Sequence, residues 1–531
     1  MIRNLAETSE PVRTSAQVCV IGGGIAGLLL AMRLRKAGID VVLLESGAAE
    51  QTATQHPLNR AVSIGRPYHG AMQGRARCLG GTSTMWGGAL IPFLSSDLEA
   101  RPCLGLPAWP VELGDLEPYL RDAERLFGAG PSSYGPEFAD EAGLGDSVPP
   151  TDADFVVRFA KWPPFKKRNV ATLFKREIET DPDLTIWLNA TVTSFDLDRA
   201  TGVLRSVTAS GPDGRRLEVR ARQFAVCAGA IESTRLLMLL DRQNDGRVFA
   251  CSPALGRYFH DHVSMAAGRL DPARPSMLNR MAGFRFVGGA MRSLRFELSP
   301  SAQRAERVAS AFAHISFEPL GPSGFDVLRD VLRGLQKHGR VGVSSLAALP
   351  RHMPYLLGVG YWRLARRQLL WPRPARYDMN IVAEQVPQAS NRILLGEEMD
   401  VYGCPVPVID WQIENATIDT IRACARRLDA YWARHGRNDV ARIAWAVEKE
   451  MGVDGVPEGS ISDIYHPGGT TRMGREAQTS VVNANLQTHA VSNLSVASTS
   501  VFPSGASANP TFMLMGFALR LADHLAHAAT R

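Results

Sequence analysis

Two short stretches hold side chains whose types and spacing can do chemistry. In "HPGGTTRMG", residues 466–474, His466 is followed at once by Pro467, Gly468 and Gly469. An ordinary imidazole has a pKa of about 6.5, so at neutral pH it is largely uncharged and can take a proton from an alcohol. The proline and glycines suit a loop whose backbone must run close to a flat ligand. In "GGGIAG", residues 22–27, Gly22, Gly24 and Gly27 fill the pattern GxGxxG. The first permits a tight turn, the second lets backbone approach a pyrophosphate, and the third lets helix and strand pack closely. Glu45 lies eighteen residues beyond Gly27, where a carboxylate accepts both ribose hydroxyls of an adenosine.

Positioning these groups requires particular elements. "QVCVI" reads as a buried strand and "LLLAMRLRKAG" as a helix stopped by Gly38, and "DVVLLE" is a second strand that ends on Glu45. That is strand, glycine turn, helix, strand, the start of an α/β Rossmann-type domain. Residues 223–237, "QFAVCAGAIESTRLL", read as another buried strand, a small-residue turn and a helix carrying Glu232 and Arg235. No second GxGxxG occurs, so the chain has one nucleotide site, and electrons must come from the substrate rather than from a second dinucleotide. Near the end, "SNLSVAS" is a strand and "NPTFMLMGFALRLADHLA" a helix, with Asn509 expected as N-cap and Pro510 at the first helical position.

The whole-chain numbers agree with a globular enzyme. At 531 residues two or three domains are expected, and 45% hydrophobic with 21% charged residues is ordinary composition. Seven scattered cysteines fit reduced thiols in a cytoplasmic protein better than a disulfide framework. No pair has zinc-like spacing, so no metal site is expected. The first residues lack a secretory pattern, and no apolar run is long enough to span a bilayer. The formal charge of +6 is concentrated: ten Lys/Arg against one acid, Asp330, lie between Arg329 and Arg376. That is a local feature and not a nucleic-acid footprint.

Residues 75–88, "RARCLGGTSTMWGG", resemble the flavin-covering segment of the glucose–methanol–choline (GMC) oxidoreductases. "LPAWPVELGDLEPYLRDAERLFG", "LGRYFHDHV", "NRILLGEEMDVYGCPVPVIDW" and "NLSVASTSVFPSGASANPTFMLMGFALRLADHL" are similar to further family segments, in family order. The resemblance covers nearly the whole chain except about 325–375. Its ending is most similar to the sugar-oxidising branch of pyranose oxidases and fructose dehydrogenases. It implies a discontinuous FAD-binding domain over about 14–130, 185–265 and 460–531. It also implies an α+β substrate domain over 131–184 and 266–459, with an antiparallel sheet over the flavin. FAD contacts are implied at Arg77, Gly80, Gly81, Thr82, Ser83, Val192, Ala228, Ala497, Ser498, Pro510 and Thr511, beside Gly22, Gly24, Gly27 and Glu45. Met85 stands where pyranose oxidases of this branch attach FAD through a histidine. A thioether is no equivalent, so FAD is expected to be non-covalent.

The family's catalytic histidine matches His466, and its partner, 43 residues on, matches Asn509. The implied reaction is oxidation of a CH–OH group of a sugar, glycoside or polyol, with His466 as base and Asn509 on the substrate oxygen. Oxygen, a quinone or another carrier would take the electrons, the last two being preferred. His260 and His262 are read as structural or outlying, and Arg472 stays outside the mechanism. A non-sugar alcohol as substrate, a redox-silent lyase-type relative and a non-catalytic flavin-binding protein remain open. The basic stretch around 325–375 is read as a lid or subunit contact that packs its apolar face on protein, with an anionic membrane surface as the alternative.

Overall fold

The computed structural model describes residues 1–52, 55–338, 347–446 and 461–529. Its first sheet is built on four parallel strands in the order Leu184–Leu188, Val41–Leu44, Val12–Ile21 and Arg216–Val226. Both faces are covered, which is why "VCVI" and "VVLL" read as unbroken apolar runs. Helix Ile25–Lys36 makes the crossover between Val12–Ile21 and Val41–Leu44 and buries Leu28, Leu29, Leu30 and Leu34. Leu494–Val496 adds a further parallel strand beside Arg216–Val226, although hundreds of residues separate them in sequence. Thr191–Asp198 and Val203–Ser210 extend the sheet antiparallel. The C-terminal helix Thr511–Ala529 packs on Ile25–Lys36 and on Glu117–Phe127.

The second sheet is largely antiparallel and has its own core, with helix Asn415–Arg434 packed on it. Its strands include Phe155–Trp162, His262–Asp271, Ala290–Leu298, Ala311–Pro319 and Ala375–Glu384. Strand His262–Asp271 runs across residue 265, where the first domain's second segment was expected to end. Its register sets His262 opposite Glu384 and Val263 opposite Asp463. One end of this sheet therefore carries polar residues from three distant parts of the chain. A hairpin, Arg392–Met399 and Pro405–Trp411, pairs with Val62–Gly65 as a third, small sheet. The fold is thus a Rossmann-type α/β unit joined to an α+β unit, as the motifs imply.

The basic stretch forms helices Gly324–His338 and Met353–Ala365, and residues 339–346 lie outside the described part. None of the residues of Met353–Ala365 is buried. Leu357, Tyr361 and Leu364, at helical spacing, are 68%, 59% and 84% exposed. These three are not covered by the rest of the chain, whereas Tyr355, Leu356, Val359 and Trp362 of the same helix are half-buried and the Tyr355 hydroxyl donates to the Leu370 carbonyl. No helix among the described residues is long and apolar enough to cross a membrane.

Candidate active site

A cleft of about 230 Å³ opens where the glycine turn, the 74–86 segment and the C-terminal strand and helix meet. Gly22, Gly24, Glu45, Arg77, Gly81, Thr82, Ser83, Val192, Ala228, Ala497, Ser498, Pro510, Thr511 and His466 all line it. Three expected residues do not. Gly27 is a packing glycine, since a Cβ there would lie 1.9 Å from the Gly22 carbonyl oxygen. Gly80 is a turn residue at φ +93°, and its N–H donates to the Gly23 carbonyl. Asn509 is half-buried and lies 3.5 Å from His466, which does line the cleft.

At one part of the cleft the buried Glu45 carboxylate accepts the N–H groups of Gly23 at 2.8 Å and Gly47 at 2.7 Å. Burial raises its pKa while those donors oppose the shift. Arg77, expected to hold the cofactor, lines the cleft and donates to Asn59, Ser46, the Leu58 carbonyl and Glu232. It faces the cleft as a wall braced by protein. Burial would raise the Glu232 pKa, but Arg235, Arg77 and Arg75 hold it down, to about 2.

His466 sits on a loop fastened at several points. The Asp261 carboxylate accepts its peptide N–H at 2.8 Å, and Thr499 Oγ1 donates to the Pro467 carbonyl at 2.6 Å. Gly468 pairs backbone-to-backbone with His260. A Cβ on Gly469, at φ +89°, would lie 2.0 Å from the Tyr258 carbonyl oxygen. The two glycines are there because the loop runs directly against residues 258–260. Burial, then His262 and Arg295, push the His466 pKa well below 6.5. The imidazole is therefore neutral at physiological pH, as a base must be.

Asn509 does not cap the C-terminal helix. That helix begins at Thr511, and the Pro510 carbonyl accepts the first helical bond, from Leu514 N–H at 3.0 Å. Pro510 is thus the capping position and Asn509 precedes it. The amide is engaged elsewhere: Arg295 donates to its Oδ1 at 3.0 Å, and its Nδ2 lies 3.5 Å from His466 Nε2. Pro510 and Thr511 still turn the helix N-terminus, with its unpaired N–H groups, toward the cleft.

Residues 17–365 match the FAD dependent oxidoreductase family, and residues 387–518 match the GMC oxidoreductase family. The chain belongs to the GMC family of FAD-dependent oxidoreductases. Among its relatives, 6'''-hydroxyparomomycin C oxidase of Streptomyces lividus is 24% identical, covering 96% of this chain and 92% of its own. The fructose dehydrogenase large subunit of Gluconobacter japonicus is 23% identical over 96% and 97%. The fold is similar to that of pyridoxine 4-oxidase from Mesorbium loti, at a TM-score of 0.59 and 17% identity over 96% and 99% of the two chains.

This GMC oxidoreductase uses FAD, and its cleft suits the cofactor. A Cβ on Gly24 would meet nothing nearer than the Gly81 Cα at 4.0 Å, because that position faces open cleft. Gly24 starts helix Ile25–Lys36 without a side-chain cap, which leaves backbone N–H groups for a pyrophosphate. Cys78 is buried and Met85 is half-exposed, and Met85 offers no histidine link at the position expected to carry one in the covalent relatives.

Several residues of the site escaped the sequence reading. Asp261 accepts the Tyr68 hydroxyl at 2.6 Å as well as the peptide N–H groups of His262 and His466. Glu384 accepts from Gly505 and Ala506 and is clamped by Arg101. Arg295, itself buried, reaches Asn509 from strand Ala290–Leu298.

Proposed function

We propose that this enzyme oxidises a CH–OH group of a sugar, glycoside or polyol to a carbonyl, with His466 as general base and Asn509 as donor to the substrate oxygen. The observation that carries the reading is the 3.5 Å approach of Asn509 Nδ2 to His466 Nε2 beside the FAD cleft. A hydroxyl bridging the two from one side would give its proton to Nε2 and accept from Nδ2. Bound FAD supplies the acceptor for the hydride that leaves the same carbon. Pro467 and the two glycines hold the imidazole in place, and burial keeps it uncharged before the proton arrives.

The sugar class rests on the relatives named as fructose dehydrogenase and paromomycin-type oxidase, and on the similar C-terminal segment. An anaerobic panel of pyranoses, glycosides and polyols against choline, sterols and benzylic alcohols tests it. We expect loss of flavin absorbance within the first group. Bleaching by the second group alone would leave the oxidoreductase reading intact and remove the sugar.

The exposed stripe Leu357–Tyr361–Leu364, flanked by Arg351, Arg363, Arg366 and Arg367, is assigned to a contact with another subunit. Removing residues 353–365 should lower the oligomeric mass seen by light scattering. Salt-sensitive flotation of the intact enzyme with anionic vesicles, lost in the deletion, would assign the stripe to a membrane surface instead. The seven cysteines are all free thiols, which suits the cytoplasm, where we place the enzyme.

A further inference from the structure

We propose that His262 is a positioning residue that fixes which ring nitrogen of His466 is free of hydrogen. The proposal deepens the reading of His466 as the base and rests on it. His262 is buried and opens strand His262–Asp271. Its Nε2 lies 2.7 Å from the Ala506 carbonyl oxygen and 3.1 Å from that of Gly505. Carbonyls only accept, so this nitrogen carries the hydrogen. In a neutral ring the other nitrogen, Nδ1, is then bare, and burial keeps His262 neutral. His262 Nδ1 stands 2.9 Å from His466 Nδ1. One of the two must donate, and only His466 can. His466 is thereby held as the Nδ1–H tautomer, with its lone pair on Nε2.

The opposite end gives the same answer independently. A guanidinium only donates, so the atom of Asn509 facing Arg295 at 3.0 Å is the carbonyl Oδ1. That turns the amide nitrogen toward His466 Nε2. An amide nitrogen donates and does not accept, so Nε2 must be the acceptor. Groups of fixed polarity, two backbone carbonyls at one end and an arginine at the other, thus specify a single tautomer. The anchors are themselves held. Glu384 Oε1 accepts the N–H groups of Gly505 and Ala506, each at 3.0 Å, and Asp261 Oδ1 accepts those of His262 and His466 at 2.6 and 2.8 Å.

In the reaction the substrate hydroxyl lies to one side of the Asn509–His466 contact, in reach of both nitrogens, donating to Nε2 and accepting from Nδ2. When the proton moves to Nε2, the Nδ1–H of the resulting imidazolium still points at the His262 lone pair, which favours the charged ring. The reverse tautomer would present N–H to the substrate and take no proton.

The first test is nitrogen-15 NMR of the FAD-loaded enzyme labelled at histidine, with His466 identified from the His466→Ala spectrum. A protonated Nδ1 and a bare Nε2 are expected, and the reverse pattern overturns the proposal. This readout needs no substrate and no turnover, so it stands apart from the proposed activity and from the folding of any His262 variant. The second test is the limiting rate of flavin reduction in His262→Phe and His262→Asn. Phe keeps the ring volume and accepts nothing, whereas the Asn Oδ1 stands where Nδ1 stood. We expect Phe to lower the rate at least about tenfold with substrate affinity little changed, and Asn to restore most of it. The loss should be smaller than the ~10⁴-fold of a wrong tautomer in a serine protease triad. A Phe variant at wild-type rate, or equal losses in Phe and Asn, would contradict the role.

Discussion

His466→Ala is expected to fold, to keep its FAD and to lose flavin reduction by roughly 10²–10⁴-fold, the size of a general-base contribution. The imidazole lies at the cleft wall and is not among the turns that hold the dinucleotide, so cofactor retention should be unchanged. The lowered pKa of His466 adds a second expectation for the wild type. A base must be uncharged, so the reduction rate is lost as pH falls through its pKa. With burial as the main cause and the Arg295 charge adding to it, that loss should come below about 6.5, the ordinary histidine value. Anaerobic stopped-flow reduction across pH 5–9 measures both. A variant reducing at near wild-type speed, or a wild-type midpoint above 7, would mean that another group takes the proton.

Gly24→Val is expected to give a folded protein that holds FAD far more weakly. Gly24 has φ −80° and ψ −165°, extended backbone in which a β-branched residue is at ease. A Cβ there meets no protein atom closer than 4.0 Å, so the substitution starts without a clash against the fold. It projects instead into the space where the pyrophosphate must approach the helix start. Overpacking of this kind costs roughly 1–3 kcal/mol, or on the order of 10- to 100-fold in FAD affinity. Gly27→Ala should behave differently, because its Cβ collides with the Gly22 carbonyl at 1.9 Å. There the melting temperature should fall together with the flavin content. Flavin-to-protein ratios after dialysis, read beside thermal melts, separate the two cases. Full flavin retention in Gly24→Val would place the cofactor elsewhere.

The parts of the site that were legible in the sequence are those built from neighbours in the chain. Gly22, Gly24 and Gly27 follow a strand and open a helix, and Glu45 ends the next strand, so their roles follow from local periodicity and spacing. The Pro-Gly-Gly after His466 likewise announced a loop with no room for side chains. Asn509 was misread as a helix cap because Asn-Pro is a common helix start, while the group that claims its amide, Arg295, is 214 residues away. His262 stood in a quoted segment, but nothing local says that strand register will set it opposite Glu384 and beside the strand leading to His466. Arg77 was expected on the cofactor from the family pattern; it does line the cleft, and the bonds to Asn59, Ser46 and Glu232 that hold it there come from distant parts of the chain. The apolar character of Met353–Ala365 was visible in composition, but which of its residues are covered is a tertiary fact.

The central claim is that this chain removes a hydride from a CH–OH carbon with FAD as the acceptor. The most direct measurement is anaerobic mixing of the enzyme with its best sugar, glycoside or polyol, counting carbonyl product against flavin bleached. One carbonyl formed for each flavin reduced, and neither in His466→Ala, is the expected result. Substrate consumed or cleaved while the flavin stays yellow would contradict the account and leave a redox-silent enzyme on the same fold.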